Sequence, residues 1–104
     1  IFLPKLPGMS AINFASKRGA AKSVAALLEA GASPRSLHPR TNTTPLMFAV
    51  RQGASDVVEL LLNADSGNVN DADDLGNTAL AMCTVGGHVD IAKMLLDEFR
   101  LDVR

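Results

Sequence analysis

Apolar residues in this chain recur in two short runs around each of three glycines. Gly19, Gly53 and Gly87 are 34 residues apart, so the sequence repeats itself at that interval. The run before each glycine places apolar side chains three residues apart, on one helix face: Ile12 and Ala15, Leu46 and Ala49, Leu80 and Cys83. The run after it carries a second helical face: Val24, Leu27 and Leu28; Val58, Leu61 and Leu62; Ala92, Leu95 and Leu96. Each unit therefore predicts two helices separated by a turn.

The predicted helices begin and end at residues that favour those positions. Ser10, Thr44 and Thr78 lie nine residues before the three glycines, where a side-chain hydroxyl can accept a hydrogen bond from a first-turn N–H group. Pro45 suits the first helical position, and each glycine suits the left-handed conformation that ends a helix. Since isolated helices below about 12–15 residues are marginal in water, stacking of the units must supply the stability.

The segments that link the units predict turns or short extended hairpins. Residues 31–40 and 67–76 are rich in Gly, Pro, Asn and Asp. The predicted fold is therefore all-α, a helix-turn-helix repeat solenoid with hairpin-like loops. We expect a single domain over residues 1–104, with repeat units at approximately 5–38, 39–72 and 73–104 and with residues 1–4 as the tail of a preceding unit. Because neither end carries a polar capping face, we expect flanking repeats in the parent chain.

The third unit carries the most complete motif. Its residues 73–80, Asp-Asp-Leu-Gly-Asn-Thr-Ala-Leu, are followed by Gly-His-Val-Asp-Ile-Ala-Lys-Met-Leu-Leu at 87–96. Thr-Pro-Leu at 44–46 and Leu-Leu-Glu-Ala-Gly-Ala at 27–32 supply further parts of the same motif. The three copies in phase resemble the ankyrin repeat family over residues 5–104. The resemblance implies a stack of helix pairs that binds other proteins and is not an enzyme.

Two departures from the family pattern are expected to affect the structure. The histidine of the family's Thr-Pro-Leu-His motif is replaced by Asn13, Met47 and Ala81, so we expect the hydrogen bonds between neighbouring loops to be lost or remade. The second helix and the next loop are also one residue further apart in the second and third units than in the first. We therefore expect an unusual turn at residues 65–67 and at residues 99–101.

The resemblance also implies which residues contact a partner protein. In the family, binding uses the hairpin tips and the face of the first helix of each unit. Carried over position by position, the predicted partner-binding residues are Leu6, Met9, Lys17, Arg18, Arg40, Thr41, Thr43, Arg51, Gln52, Asp74, Leu75, Asn77 and Val85. The alternative hypothesis is a structural spacer or a regulatory repeat segment within a larger multidomain protein.

The charges of the chain are divided between its two halves. Residues 1–52 contain seven Lys and Arg against one acid, a net charge of +6, whereas residues 53–104 contain three against ten, a net charge of −7. We expect a partner protein whose charge runs the opposite way. The basic residues also suggest a nucleic-acid patch, but they lack aromatic stacking partners and the acidic third unit repels phosphates. The plainest alternative is that the charges only keep the repeats soluble.

Candidate chemistry in the sequence is weak. Cys83 and His88 lie five residues apart, but Cys83 belongs to the predicted core face and His88 to the turn between helices, so we expect structural roles. The run at 70–76 has carboxylates at the spacing of a calcium loop, yet Leu75 and Met82 fall at two ligand positions. We expect no metal and no cofactor. One cysteine cannot form an internal disulfide, which favours an intracellular protein, cytoplasmic or nuclear, without a membrane span.

Overall fold

Three pairs of short helices form the structure, a computed structural model that describes residues 10–97. The first pair is α1 (Ala11–Lys17) and α2 (Ala21–Glu29), the second is α3 (Pro45–Gln52) and α4 (Ser55–Ala64), and the third is α5 (Ala79–Gly86) and α6 (Val89–Asp97). A 3-10 helix, Ser66–Asn70, follows α4. The predicted all-α repeat fold is confirmed. The proposed tail at residues 1–4, the binding residues Leu6 and Met9, and the turn at 99–101 lie outside the described residues.

The predicted starts of the first helices are confirmed in all three units and their glycine ends in two, whereas α1 ends one residue earlier, at a cap formed by Arg18 before the left-handed Gly19. The side chains of Ser10, Thr44 and Thr78 each accept a hydrogen bond from the backbone N–H three residues later, at the starts of α1, α3 and α5. Gly53 and Gly87 end α3 and α5 in the left-handed conformation, with φ of 75° and 71°. Such a φ is costly for a residue with a Cβ, so glycine at these positions fixes where the second helix starts.

The middle unit is packed on both sides by its neighbours. Helix α3 contacts α1 and α5, and α4 contacts α2 and α6. As a result, all residues of α3 from 45 to 50 are buried. Leu61 of α4 and Leu95 of α6, both expected at the centre of the core, are 0% exposed. The helical register inferred for α4 and α6 is therefore confirmed, but Leu96, predicted on the same face as Leu95, is 40% exposed.

The positions that the family fills with histidine are hydrogen-bonded differently here. The Met47 sulfur lies 3.5 Å from the Thr44 backbone N–H, which donates to it. The side chains of Asn13 and Ser16 are buried without a hydrogen-bond partner among residues 10–97. Removing such polar groups from water without replacement bonds costs about 1–3 kcal/mol each. The expectation that the family's hydrogen bonds are lost or remade is confirmed at Asn13 and Met47.

The turn after α4 differs from the turn after α2, as predicted. Helix α2 is followed by Gly31 with a φ of 93°, whereas α4 ends at Asp65 in an extended conformation and continues into the 3-10 helix. Arg35 of the preceding loop holds this turn, because its Nη1 donates to Asp65 at 3.3 Å and its Nε donates to Asp71 at 2.8 Å. The hydrogen bond to Asp71, supported by the charge of Asp65, raises the pKa of Arg35. The two loops are thereby joined across a unit boundary.

Replacement of Leu61 by alanine tests the packing of the stack. We expect Leu61→Ala to lower the free energy of unfolding by about 2–5 kcal/mol, because the buried side chain is lost and a cavity is left. Urea denaturation followed by circular dichroism measures the change. The control is Glu59→Ala, at an exposed position of the same helix, which should stay within about 0.5 kcal/mol of the wild type. An unchanged urea midpoint for Leu61→Ala would contradict the register of α4.

Candidate interaction surface

The ends of the first helices form a basic edge. Lys17, Arg18, Arg51 and Gln52 are exposed at the C-terminal ends of α1 and α3, where positive charge is favourable to the helix dipole. The two ends are adjacent, since a Cβ on Gly19 would lie 3.4 Å from Cγ of Gln52. These four predicted binding residues therefore lie along one border of the stack.

An exposed aromatic ring lies on the same edge. The guanidinium carbon of Arg18 is 5.7 Å from the centre of the Phe14 ring, a distance at which the cation is attracted to the ring. Phe14 is among the exposed large hydrophobic residues of the chain. Its position one helical turn before Arg18 is the sequence signal for this pair, and the sequence-based prediction omitted it.

The tip of the second unit presents some of its predicted residues and buries one. Arg40 and Thr41 are exposed. Thr43 is 1% exposed, and its hydroxyl lies 2.7 Å from the hydroxyl of Thr41. The prediction that Thr43 contacts a partner is corrected accordingly, because its side chain is turned into the fold next to the start of α3.

The tips of the second and third units are hydrogen-bonded to each other. The backbone N–H of Asp74 donates to the carbonyl of Thr41 at 3.0 Å. The side-chain amide of Asn42, a residue in the left-handed region with φ of 55°, donates to the Asp74 carboxylate at 2.6 Å. Asp74 is exposed at the surface, but one of its carboxylate oxygens already accepts a hydrogen bond from Asn42.

Asp73 organises the third tip. Its Oδ1 accepts hydrogen bonds from the backbone N–H groups of Leu75 and Asn77, both at 2.9 Å, and Arg51 Nη2 lies 3.6 Å from its Oδ2. Burial acts to raise the pKa of Asp73, but the donors from Asn77 and Leu75 and the charge of Arg51 outweigh it and lower the pKa. The Asp73 side chain is 5% exposed. Arg51, one of the predicted partner-binding residues, is therefore partly neutralised by Asp73.

A hollow lies between the second and third units at the end of α5. Its volume is about 230 Å³, and it brings together three predicted binding residues with four others: Arg51, Asn77 and Val85 with Ala81, Met82, Gly86 and His88. The prediction omitted these four. The signal that identifies the hollow is the difference between equivalent positions, because Ala81 and Gly86 stand where the second unit has Met47 and Gln52.

Known proteins share the repeat pattern of this chain. A family model described as ankyrin repeats in three copies matches residues 7–104. The chain belongs to the ankyrin repeat family. It is 43% identical over 63 residues to the ANK repeat-containing protein nipk-1 of Caenorhabditis elegans. That similarity covers 60% of this chain but 10% of the relative, so the chain spans a small part of the longer protein.

Cys83 and His88 both pack against other residues of the ankyrin stack. A Cβ on Gly53 would lie 3.0 Å from the His88 ring, and one on Gly86 would lie 2.7 Å from it. His88 therefore packs on glycine backbone from two neighbouring ankyrin repeats. Cys83 is buried, and burial raises the pKa of its thiol, which keeps it protonated and unreactive.

Some carboxylate oxygens in the acidic loop of the third ankyrin repeat already accept hydrogen bonds from the protein. Asp73 accepts backbone N–H groups and Asp74 accepts the Asn42 amide. Within residues 10–97, His, Cys, Asp and Glu side chains do not gather in a group of three that could hold a metal ion. The helices of this same range are too short or too polar to cross a membrane.

Changes at Asp73 test whether its carboxylate fixes the third tip. Asp73→Ala should lower the free energy of unfolding by about 1–3 kcal/mol, since two backbone N–H groups lose a charged acceptor. Asp73→Asn keeps an acceptor and should cost less. Because the pKa of Asp73 is lower in the folded state, its stabilisation is full above the unfolded value of about 3.9 and is lost as pH falls through the folded value.

Urea midpoints of the wild type and both variants, measured at pH 7 and at several values below pH 4, check this prediction. The stability difference between the wild type and Asp73→Asn should shrink with acidification. A difference that stays constant from pH 7 into the acid range would show that the charge of Asp73 has no part in holding the tip.

Proposed function

We propose that this ankyrin stack binds a partner protein through its first-helix surface, defined as the exposed ends of α1, α3 and α5 together with the tips at 40–42 and 73–77. The family is one of protein-interaction modules, and the choice of surface rests on exposed apolar groups. Leu75 is 85% exposed and Val85 is 90% exposed, the highest values among the large hydrophobic residues that the structure describes. Val85 also lines the hollow, and an exposed apolar side chain at the border of a hollow is typical of a binding surface.

The tips that carry these groups are ordered before a partner arrives. Hydrogen bonds join Asn42 to Asp74, and Asp73 to the backbone of Leu75 and Asn77. A surface that is already ordered loses little conformational entropy on binding, so more of the contact energy contributes to affinity. This supports the tips as contact points.

The charge on the first-helix surface favours an acidic partner over the first two units. Arg35 and Arg51 form ion pairs with acids of the neighbouring unit. Lys17, Arg18 and Arg40 are exposed and form no ion pair among residues 10–97. These three cations are therefore available to attract a partner with negative charge.

The second candidate is a spacer or regulatory segment, and the length of the relative favours it. The nipk-1 similarity covers 10% of that protein, so repeats of this kind also occur within a much longer chain. We propose on the same ground that further repeats flank these three, and we propose no enzymatic activity for them. The buried thiol of Cys83 supports an intracellular setting, cytoplasmic or nuclear.

Charge reversal tests the proposed surface against its opposite side. The test variant is Arg18→Glu with Arg40→Glu, and the control is Lys22→Glu with Lys93→Glu, at exposed positions of α2 and α6. Arg51 is unsuitable because its reversal would also disturb Asp73. With a partner identified by affinity capture, we expect the test variant to slow association about tenfold or more at low salt and the control to change it little.

The salt dependence gives a second measurement. The screening length falls from about 30 Å at 0.01 M salt to about 8 Å at 0.15 M, so the advantage of the wild type should shrink as salt rises. Association rates are measured by surface plasmon resonance, with helicity checked by circular dichroism. Equal rates for the two folded double variants would reject this surface, and complete absence of a captured partner would favour the spacer.

A further inference from the structure

Equivalent positions along the first-helix surface form an ordered row. Residues 17, 51 and 85 occupy the same place in the three units and are Lys17, Arg51 and Val85. The ends of α1 and α3 are adjacent at Gly19 and Gln52, and Arg51 and Val85 line the same hollow. A partner that follows the row therefore meets a cation, a second cation and then an apolar hollow.

The hollow is suited to a side chain and is small for a free organic ligand. Pockets for small molecules usually measure about 300–1,000 Å³, above the volume of about 230 Å³ found here. Ala81, Met82 and Val85 give it apolar walls, and Arg51 and Asn77 add hydrogen-bond donors. An aliphatic side chain fits the walls, and Arg51 and Asn77 offer donors to oxygens elsewhere in the same segment.

The accessible cations give the row a positive charge. The Arg51 side chain is half exposed and lies 3.6 Å from Asp73, beyond hydrogen-bonding distance, so its donors are open to a second carboxylate. Lys17, one unit away, is exposed. A strand of nucleic acid is a poorer match, because it carries a phosphate at every nucleotide and some of these would approach Asp73, whereas a peptide can place its few carboxylates only at the cations.

The spacing of the row can be converted into residues of an extended partner. Packed helices lie about 8–10 Å apart, and an extended chain in the polyproline II conformation advances about 3.1 Å per residue and brings every third side chain to the same face. Each unit of the stack therefore corresponds to about three residues of such a partner.

We propose that the hollow is the anchor site for an extended acidic segment of the partner protein. One aliphatic side chain enters the hollow, a carboxylate about three residues away binds Arg51, and a second about six residues away binds Lys17. The proposal rests on the proposed function of the first-helix surface and specifies the partner that this surface recognises.

Synthetic peptides test the spacing directly on the full chain. Two fluorescein-labelled peptides of twelve residues each carry one leucine and two glutamates, with serine or threonine at the other positions. In the first peptide the glutamates lie three and six positions before the leucine. In the second they lie three and six positions after it. Fluorescence anisotropy at low salt should show that one of them binds at least tenfold more tightly than two controls. The first control has the same composition with both glutamates next to the leucine, and the second has serine in place of leucine.

Protein variants test the hollow and the row separately. Ala81→Met places in the hollow the residue that the second unit has at its equivalent position, and should weaken binding at least tenfold. Val85→Ser, at a 90% exposed position, removes an apolar wall with little risk to folding and should also weaken binding. Lys17→Gln should weaken binding several-fold at low salt, whereas Lys22→Gln, an exposed lysine outside the row with the same charge change, should not.

Three results would overturn the anchor: no binding of either spaced peptide, equal binding of the peptide with displaced glutamates, or unchanged binding by both folded hollow variants. The proposed function is judged separately, with the captured partner and the Arg18 and Arg40 reversals. If those reversals slow the partner while Ala81→Met and Val85→Ser do not affect it, the surface stands and the anchor is rejected. If neither set of changes has an effect, both proposals fail.

Discussion

The stability of this protein depends on the packing of each helix pair against the next. The α-helices among residues 10–97 have between 7 and 10 residues, lengths at which an isolated helix is marginal in water. The helices must therefore be stabilised by burial of their side chains between neighbouring units. Helix α3 shows this most clearly, because it lies between α1 and α5 with residues 45–50 buried. The same packing determines which parts stay exposed. Helix ends and loop tips project beyond the stacked faces, and these become the candidate surface.

The unequal charge of the two halves also has a structural role. Arg35, from the loop between the first two units, pairs with Asp65 and Asp71, and Arg51 of the second unit pairs with Asp73 of the third. Positive charge from one unit thus joins negative charge from the next. The two arginines are exposed, and ion pairs at the surface contribute about 0–1 kcal/mol each, so these pairs fix the geometry of the loops more than they stabilise the fold. Lys17, Arg18 and Arg40, which have no ion-pair partner among residues 10–97, are left to act outward, and Arg51 keeps donors free beside its ion pair.

The helices and their buried faces could be predicted from the sequence because they recur at a fixed interval. The interval between the glycines located the caps at Ser10, Thr44 and Thr78 and the buried positions of Leu61 and Leu95. It did not identify the burial of Thr43 or the pairing of Arg51 with Asp73. These depend on how the loop backbones approach each other, which spacing along the chain does not encode.

The hollow was missed for a different reason. Patterns reveal side chains that are present, whereas the hollow is bordered by Ala81 and Gly86, which are smaller than Met47 and Gln52 at the equivalent positions of the second unit. Its detection requires a comparison of the units with one another. Leu6 and Met9 lie outside the described residues, so their part of the predicted surface stays a prediction.

The small residues around the hollow have a consequence for the evolution of repeat arrays. Ala81 and Gly86 border a surface depression, whereas the fully buried contacts between units involve other positions, such as Leu46 and Leu61. One copy of a duplicated motif can thus lose side-chain volume at the border while its neighbours continue to hold the stack. After duplication, loss of side-chain volume at different positions gives each array its own set of surface hollows. Arrays with nearly the same fold then differ in the partners that they select.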